Sequence, residues 1–81
     1  MVREITVGDA AHARRINHAA CSAPFEVWLH EREGSGAMVD ARSLLGIYTL
    51  AGKRAYVVVE DGVSPRSFER LVRSMETRKA G

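Results

Sequence analysis

The sequence predicts an α+β fold, an open-faced β-sandwich in which a four-stranded antiparallel sheet carries three helices on one face, in the order β-α-β-β-α-β-α. Three observations predict it. Residues 25–31, FEVWLHE, alternate apolar and polar, and residues 55–60, AYVVVE, form a β-branched run, so both read as strands. Phe68, Leu71, Val72 and Met75 fall at i, i+3, i+4 and i+7, the stripe of an amphipathic helix. Gly, Pro, Asp and Ser gather between these runs at short intervals, as the turns of one small domain spanning residues 1–81.

Each element has its own local reason. Residues 2–7 alternate, with Ile5 and Val7 on one face, and Gly8 and Asp9 break the strand. Ala13, Ile16, Ala20 and Ala23 recur at three and four, predicting a helix from Ala13 to Ser22 that Pro24 stops. FEVWLHE puts Phe25, Val27 and Leu29 inward, with Glu26, Trp28 and His30 outward; EREGSG then turns the chain into a short strand around AMVDA. Ser43 is an N-cap candidate for a short helix carrying Leu44, Leu45, Ile47, Tyr48 and Leu50, weakened by Gly46 and closed by Gly52. The β-branched run predicts a central strand ending at Asp61-Gly62. Ser64 and Pro65 then suit the cap and first position of the last helix.

Composition excludes several classes of function. A hydrophobic fraction of 46% supports one modest core, and no run approaches the roughly 18 apolar residues that a membrane span requires. The start MVREITVGD has neither an apolar core nor a cleavage site, and a lone Cys21 excludes an internal disulfide, so a cytoplasmic protein with no membrane insertion is expected. His18 and Cys21 stand at i and i+3 but lack a third ligand nearby in sequence, so no metal and no cofactor are expected. Net charge is +2 with signs mixed along the chain, so nucleic acid is not expected as a partner.

The stretch GDAAHARRINHAA, residues 8–20, carries the chemistry. It places His12, Arg14 and Arg15 where a helix begins, although a helix start favours acidic residues. The first backbone N–H groups of a helix lack intrahelical partners and attract an anion. A phosphoryl group on the His12 ring would meet the first turn, with Ala13, Arg14 and Arg15 as the phosphate-binding segment and Arg14 adding charge-assisted hydrogen bonds. The same residues also fit a solvated loop histidine beside a wet helix face.

HARR at 12–15, DARSLLGIYTL at 40–50 and the order of elements together resemble the histidine-containing phosphocarrier protein family, HPr, of the bacterial sugar phosphotransferase system. The resemblance covers nearly the whole chain. It implies that His12 receives phosphate on Nδ1 from Enzyme I and passes it to Enzyme II components, with Arg14 assisting. The resemblance implies a phosphoryl-transfer carrier with a phosphohistidine intermediate rather than a stand-alone enzyme. It further implies that Ser43 is the regulatory serine, modified by a serine kinase and read by a transcription regulator, and that Leu44, Leu45 and Tyr48 form the partner-docking patch. The chain departs from the family where Ala10 and Ala11 replace Gly-Leu and Arg15 replaces proline, which removes two backbone constraints.

Two other readings stay open. One is a non-catalytic regulatory relative acting through Ser43 and the Leu44/Leu45/Tyr48 patch. The other is a small nucleic-acid-binding module using Arg14, Arg15, Lys53, Arg54, Arg78 and Lys79, with Trp28 nearly alone as a stacking group on the sheet.

Overall fold

The computed structural model, which describes residues 1–33 and 38–76, runs β1 (Val2–Thr6), α1 (Ala10–Ser22), β2 (Val27–Glu31), β3 (Val39–Asp40), α2 (Leu44–Tyr48), β4 (Arg54–Val59) and α3 (Pro65–Glu76). The strands lie in the order β1-β4-β2-β3, and every neighbouring pair is antiparallel. The open α+β sheet is the one the sequence predicts, with the β-branched strand inside it. Because β1 and β2 flank β4, they run parallel to each other. A tight turn cannot join parallel strands, and α1 makes the crossover.

Register sorts the side chains by face. Ile5 and Val7, Val27 and Leu29, and Ala55, Val57 and Val59 point toward the helices and are buried. They meet Ala13, Ile16 and Ala20 of α1, Ile47 of α2, and Phe68, Leu71, Val72 and Met75 of α3 in one core. Ile16, Leu29, Ile47 and Met75 are wholly enclosed, each contributing about 1.5–3 kcal/mol relative to exposure, against the ordering entropy of a short chain. Arg3 ties β1 to α3 by an ion pair with Glu69, its guanidinium 5.8 Å from the centre of the Phe68 ring. On the other face the sheet is uncovered, and there Trp28 is not alone: it sits across from Val58, and His30 across from Tyr56.

The largest departure from the sequence reading is the start of α1. It begins at Ala10, three residues before the first apolar position, because Asp9 is extended and its carboxylate accepts the His12 N–H at 3.0 Å. Ala10 and Ala11, good helix formers, fill the turn that follows. The strand near AMVDA shrinks to Val39–Asp40. Residues 34–37 of the hairpin turn and the basic tail with Arg78 and Lys79 lie outside the described residues.

Two glycines have steric reasons to be glycine. A Cβ on Gly46 would lie 2.6 Å from Val39 Cγ1, so this residue lets α2 approach β3. Gly52 has φ +80°, and its N–H donates to the carbonyls of Val7 at 2.8 Å and Gly8 at 3.2 Å. No helix among the described residues is long and apolar enough to cross a membrane.

Candidate functional site

The loop from β1 to α1 is held from below by Gly52 and from ahead by the Asp9 cap. This fixes Gly8 one helical turn before His12. Its N–H donates to His12 Nδ1 at 2.8 Å, while the other ring nitrogen, Nε2, lies 2.8 Å from the main-chain carbonyl of Met75. An amide N–H can only donate and a carbonyl can only accept. The partners therefore define the neutral ring with its proton on Nε2 and its lone pair on Nδ1. The Met75 carbonyl belongs to the last turn of α3, one of the four that a helix leaves without an internal partner. The half-buried ring thus joins the positive end of α1 to the negative end of α3.

Gly8 is tightly fitted to that ring. A Cβ there would lie 3.1 Å from Nδ1 and 3.3 Å from the His12 Cβ. Any larger residue would press on a ring already held at both nitrogens.

The longer helix changes the expected first turn. The His12 N–H is taken by the Asp9 carboxylate, and the Ala13 N–H donates to the Asp9 carbonyl at 2.9 Å, with the Ala13 methyl fully buried. The amide that faces the ring nitrogen is that of Gly8, upstream of the helix. Arg14 is exposed and makes no hydrogen bond or ion pair among the described residues, so nothing ties it to His12. Arg15 is half-buried, and both arginines line a groove between α1 and α3.

Ser43 caps α2, its Oγ accepting the Gly46 N–H at 3.3 Å. Beside it Leu45 is 78% exposed, while Leu44 and Tyr48 are half-buried and Tyr48 packs against the core. Asn17 of α1 donates to the Ala41 carbonyl at 3.1 Å, which holds the approach to Ser43 against the helix that carries His12. Arg42, next to Ser43 in the chain, pairs with Asp40 and Glu26. The Arg42 backbone N–H, aided by its guanidinium and opposed by partial burial, holds the Asp40 carboxyl below its ordinary range. His18 and Cys21 are both exposed, and the described residues contain no group of three metal-ligating side chains.

Three participants escape the sequence reading: Gly8, Asp9 and the carbonyl of Met75. Asp9 carried a readable signal, an acidic cap before two alanines. Gly8 at i−4 from a histidine is a weaker one. Met75 has none, because it contributes only main chain from 63 positions away.

No protein-family model matches the chain, and no curated protein matches it in sequence. Among solved structures it is similar to the crystal structure of HPr-C-His from Thermoanaerobacter tengcongensis, with a TM-score of 0.64 over 98% of this chain and 97% of that one. The fold is HPr-like. Sequence identity is 19%, so the likeness is one of architecture.

Proposed function

We propose that the chain is a phosphocarrier of the HPr kind, with Nδ1 of His12 as the phosphoacceptor. The observation that carries this reading is the pair of main-chain partners on the ring. The Met75 carbonyl holds the proton on Nε2, and the lone pair stands on Nδ1 against a single amide.

In the transfer, the Nδ1 lone pair attacks the phosphorus of a phosphorylated donor in line. The Nδ1–P bond forms as the donor's bond to phosphorus breaks, and the donor keeps that electron pair. The Gly8 N–H gives up its bond to Nδ1 and donates to a phosphoryl oxygen, while the Met75 carbonyl steadies Nε2–H as positive charge develops on the ring. Arg14, two residues along and without a partner among the described residues, supplies charge through its long side chain when the group arrives. The donor would be an Enzyme I and the acceptor an Enzyme II component, with Leu44, Leu45 and Tyr48 as the docking patch. Ser43 is accessible beside that patch, where added charge would alter docking rather than unfold the helix.

A regulatory role without phosphoryl transfer is favoured by one observation, the Asp9 carboxylate. It occupies the His12 amide and adds negative charge beside the site. Incubation with Enzyme I and phosphoenolpyruvate, followed by intact mass measurement, separates the two. An acid-labile phosphoryl adduct on the wild type that is absent from His12→Ala is expected. No adduct with an Enzyme I from the same cell would overturn the carrier and leave the regulator.

A further inference from the structure

A groove of about 740 Å³, within the size range of small-molecule sites, lies along α1 and α3, and the His12 ring is not part of its lining. The sequence explains it. The α1 ridge at positions 11, 15, 19 and 23 is alanine at three of its four places, and α3 answers with Ser67 and Ser74, so short side chains leave space where the helices pack. Ala19, Phe25 and Leu71 make an apolar floor. Arg14 and His18 stand on one wall and Arg70 on the other, and no acidic side chain lines the groove among the described residues.

Most cations elsewhere among the described residues are matched: Arg3 with Glu69, Arg32 and Arg54 with Glu4, Arg42 with Asp40 and Glu26, and Lys53 with Glu31; Arg66 is the exception, and it stands outside the groove and its apolar lining. Arg14 of α1 and Arg70 of α3 have no such partner among the described residues, and both line the groove together with Ala19, Phe25 and Leu71. Unmatched guanidinium groups above an apolar floor suit a molecule that is anionic at one end and flat and apolar at the other.

We infer that the α1–α3 groove binds a small organic anion, a phosphate or carboxylate carried on an aromatic or similarly flat apolar body. The phosphate or carboxylate lies between Arg14 and Arg70, and the body lies over Phe25 and Leu71. This site does not include the His12 ring and shares only Arg14 with the proposed transfer, while Arg70 belongs to the groove alone, so the inference does not require that Nδ1 is phosphorylated.

The test is an NMR titration of the whole chain with 1-naphthyl phosphate, alongside inorganic phosphate and 1-naphthol. With 1-naphthyl phosphate, saturable shifts confined to residues 11–25 and 67–74 are expected, with Kd of about 1 mM or tighter. Inorganic phosphate and 1-naphthol should each bind roughly tenfold more weakly, and Arg70→Glu should weaken 1-naphthyl phosphate by at least about tenfold, with Arg70→Lys retaining most of the affinity. Arg70 is exposed and unpaired, so neither variant disturbs the core. Equal binding of inorganic phosphate would reduce the groove to a cluster of cations. Equal binding of 1-naphthol would make the cations irrelevant, and shifts spread over the open sheet face, or none, would remove the site. Each of these results overturns the inference.

Discussion

Replacing Gly8 with alanine tests the ring contact without touching the ring. Gly8 does not adopt a left-handed conformation, so alanine is allowed by its backbone and by itself should stabilise the fold by about 0.4–1 kcal/mol through the unfolded chain. Against this, the new methyl would lie 3.1 Å from Nδ1 and 3.3 Å from the His12 Cβ. The ring is held at 2.8 Å by both Gly8 and Met75, so it cannot yield without stretching one of those bonds. Two hydrogen bonds at about 0.5–1.5 kcal/mol each, together with crowding, outweigh the entropic gain. A net loss of about 1–2 kcal/mol follows, or roughly 4–8 °C in Tm for each kcal/mol in a domain this size. In a His12→Ala background the obstacle is gone, and the same substitution should be neutral or stabilising by up to about 1 kcal/mol. Urea unfolding of the four proteins gives the coupling, expected at about 2 kcal/mol. If Gly8→Ala stabilises both backgrounds equally, the ring does not stand against Gly8 and the site geometry is wrong.

Three further outcomes are expected from the same structure. Gly46→Ala should gain about 1 kcal/mol in helix propensity but lose more to the 2.6 Å approach to Val39, for a net loss of about 1–2 kcal/mol in thermal unfolding that Val39→Ala relieves. The folded Asp40 carboxyl lies below its ordinary 3.8, so its contribution is complete above that pH and is lost as pH falls through the lower folded value. Asp40→Asn should therefore lower stability at neutral pH, and the difference from wild type should close only below about pH 4 in acid unfolding curves. In a quenched-flow transfer assay, Arg14→Ala should slow phosphorylation by about tenfold or more, and further than Arg15→Ala does, since Arg14 is exposed and unpaired whereas Arg15 is half-buried. Equal or reversed losses would show that Arg14 takes no part.

Much of the architecture is legible in sequence because it is written in side-chain periodicity. Val27 and Leu29 alternate, Phe68 to Met75 repeat at helical spacing, and Ser43 caps where a serine should. The start of α1 is not legible in this way, because the apolar stripe begins at Ala13, while the helix begins where Asp9 can take up free amides. A stripe reports which face is buried; a cap reports where the hydrogen bonds start. The surroundings of His12 were less legible still, since both of its ring partners are main-chain atoms and any residue type supplies those. The aromatic neighbours on the open sheet, Tyr56 beside His30, depend on strand register, which pairs positions 26 apart. The opposite charge at the head of α1 also has a different setting from the one expected: Arg14 and Arg15 look into the α1–α3 groove, and the group facing Nδ1 is the glycine upstream.

The proton on the His12 ring decides the matter most directly. Long-range proton–nitrogen NMR at neutral pH reads which ring nitrogen carries it. A single fixed tautomer with hydrogen on Nε2 and a bare Nδ1 is the expected result. A proton resident on Nδ1, or the averaged signals of a histidine free in water, would contradict a phosphoacceptor poised by Gly8 and Met75.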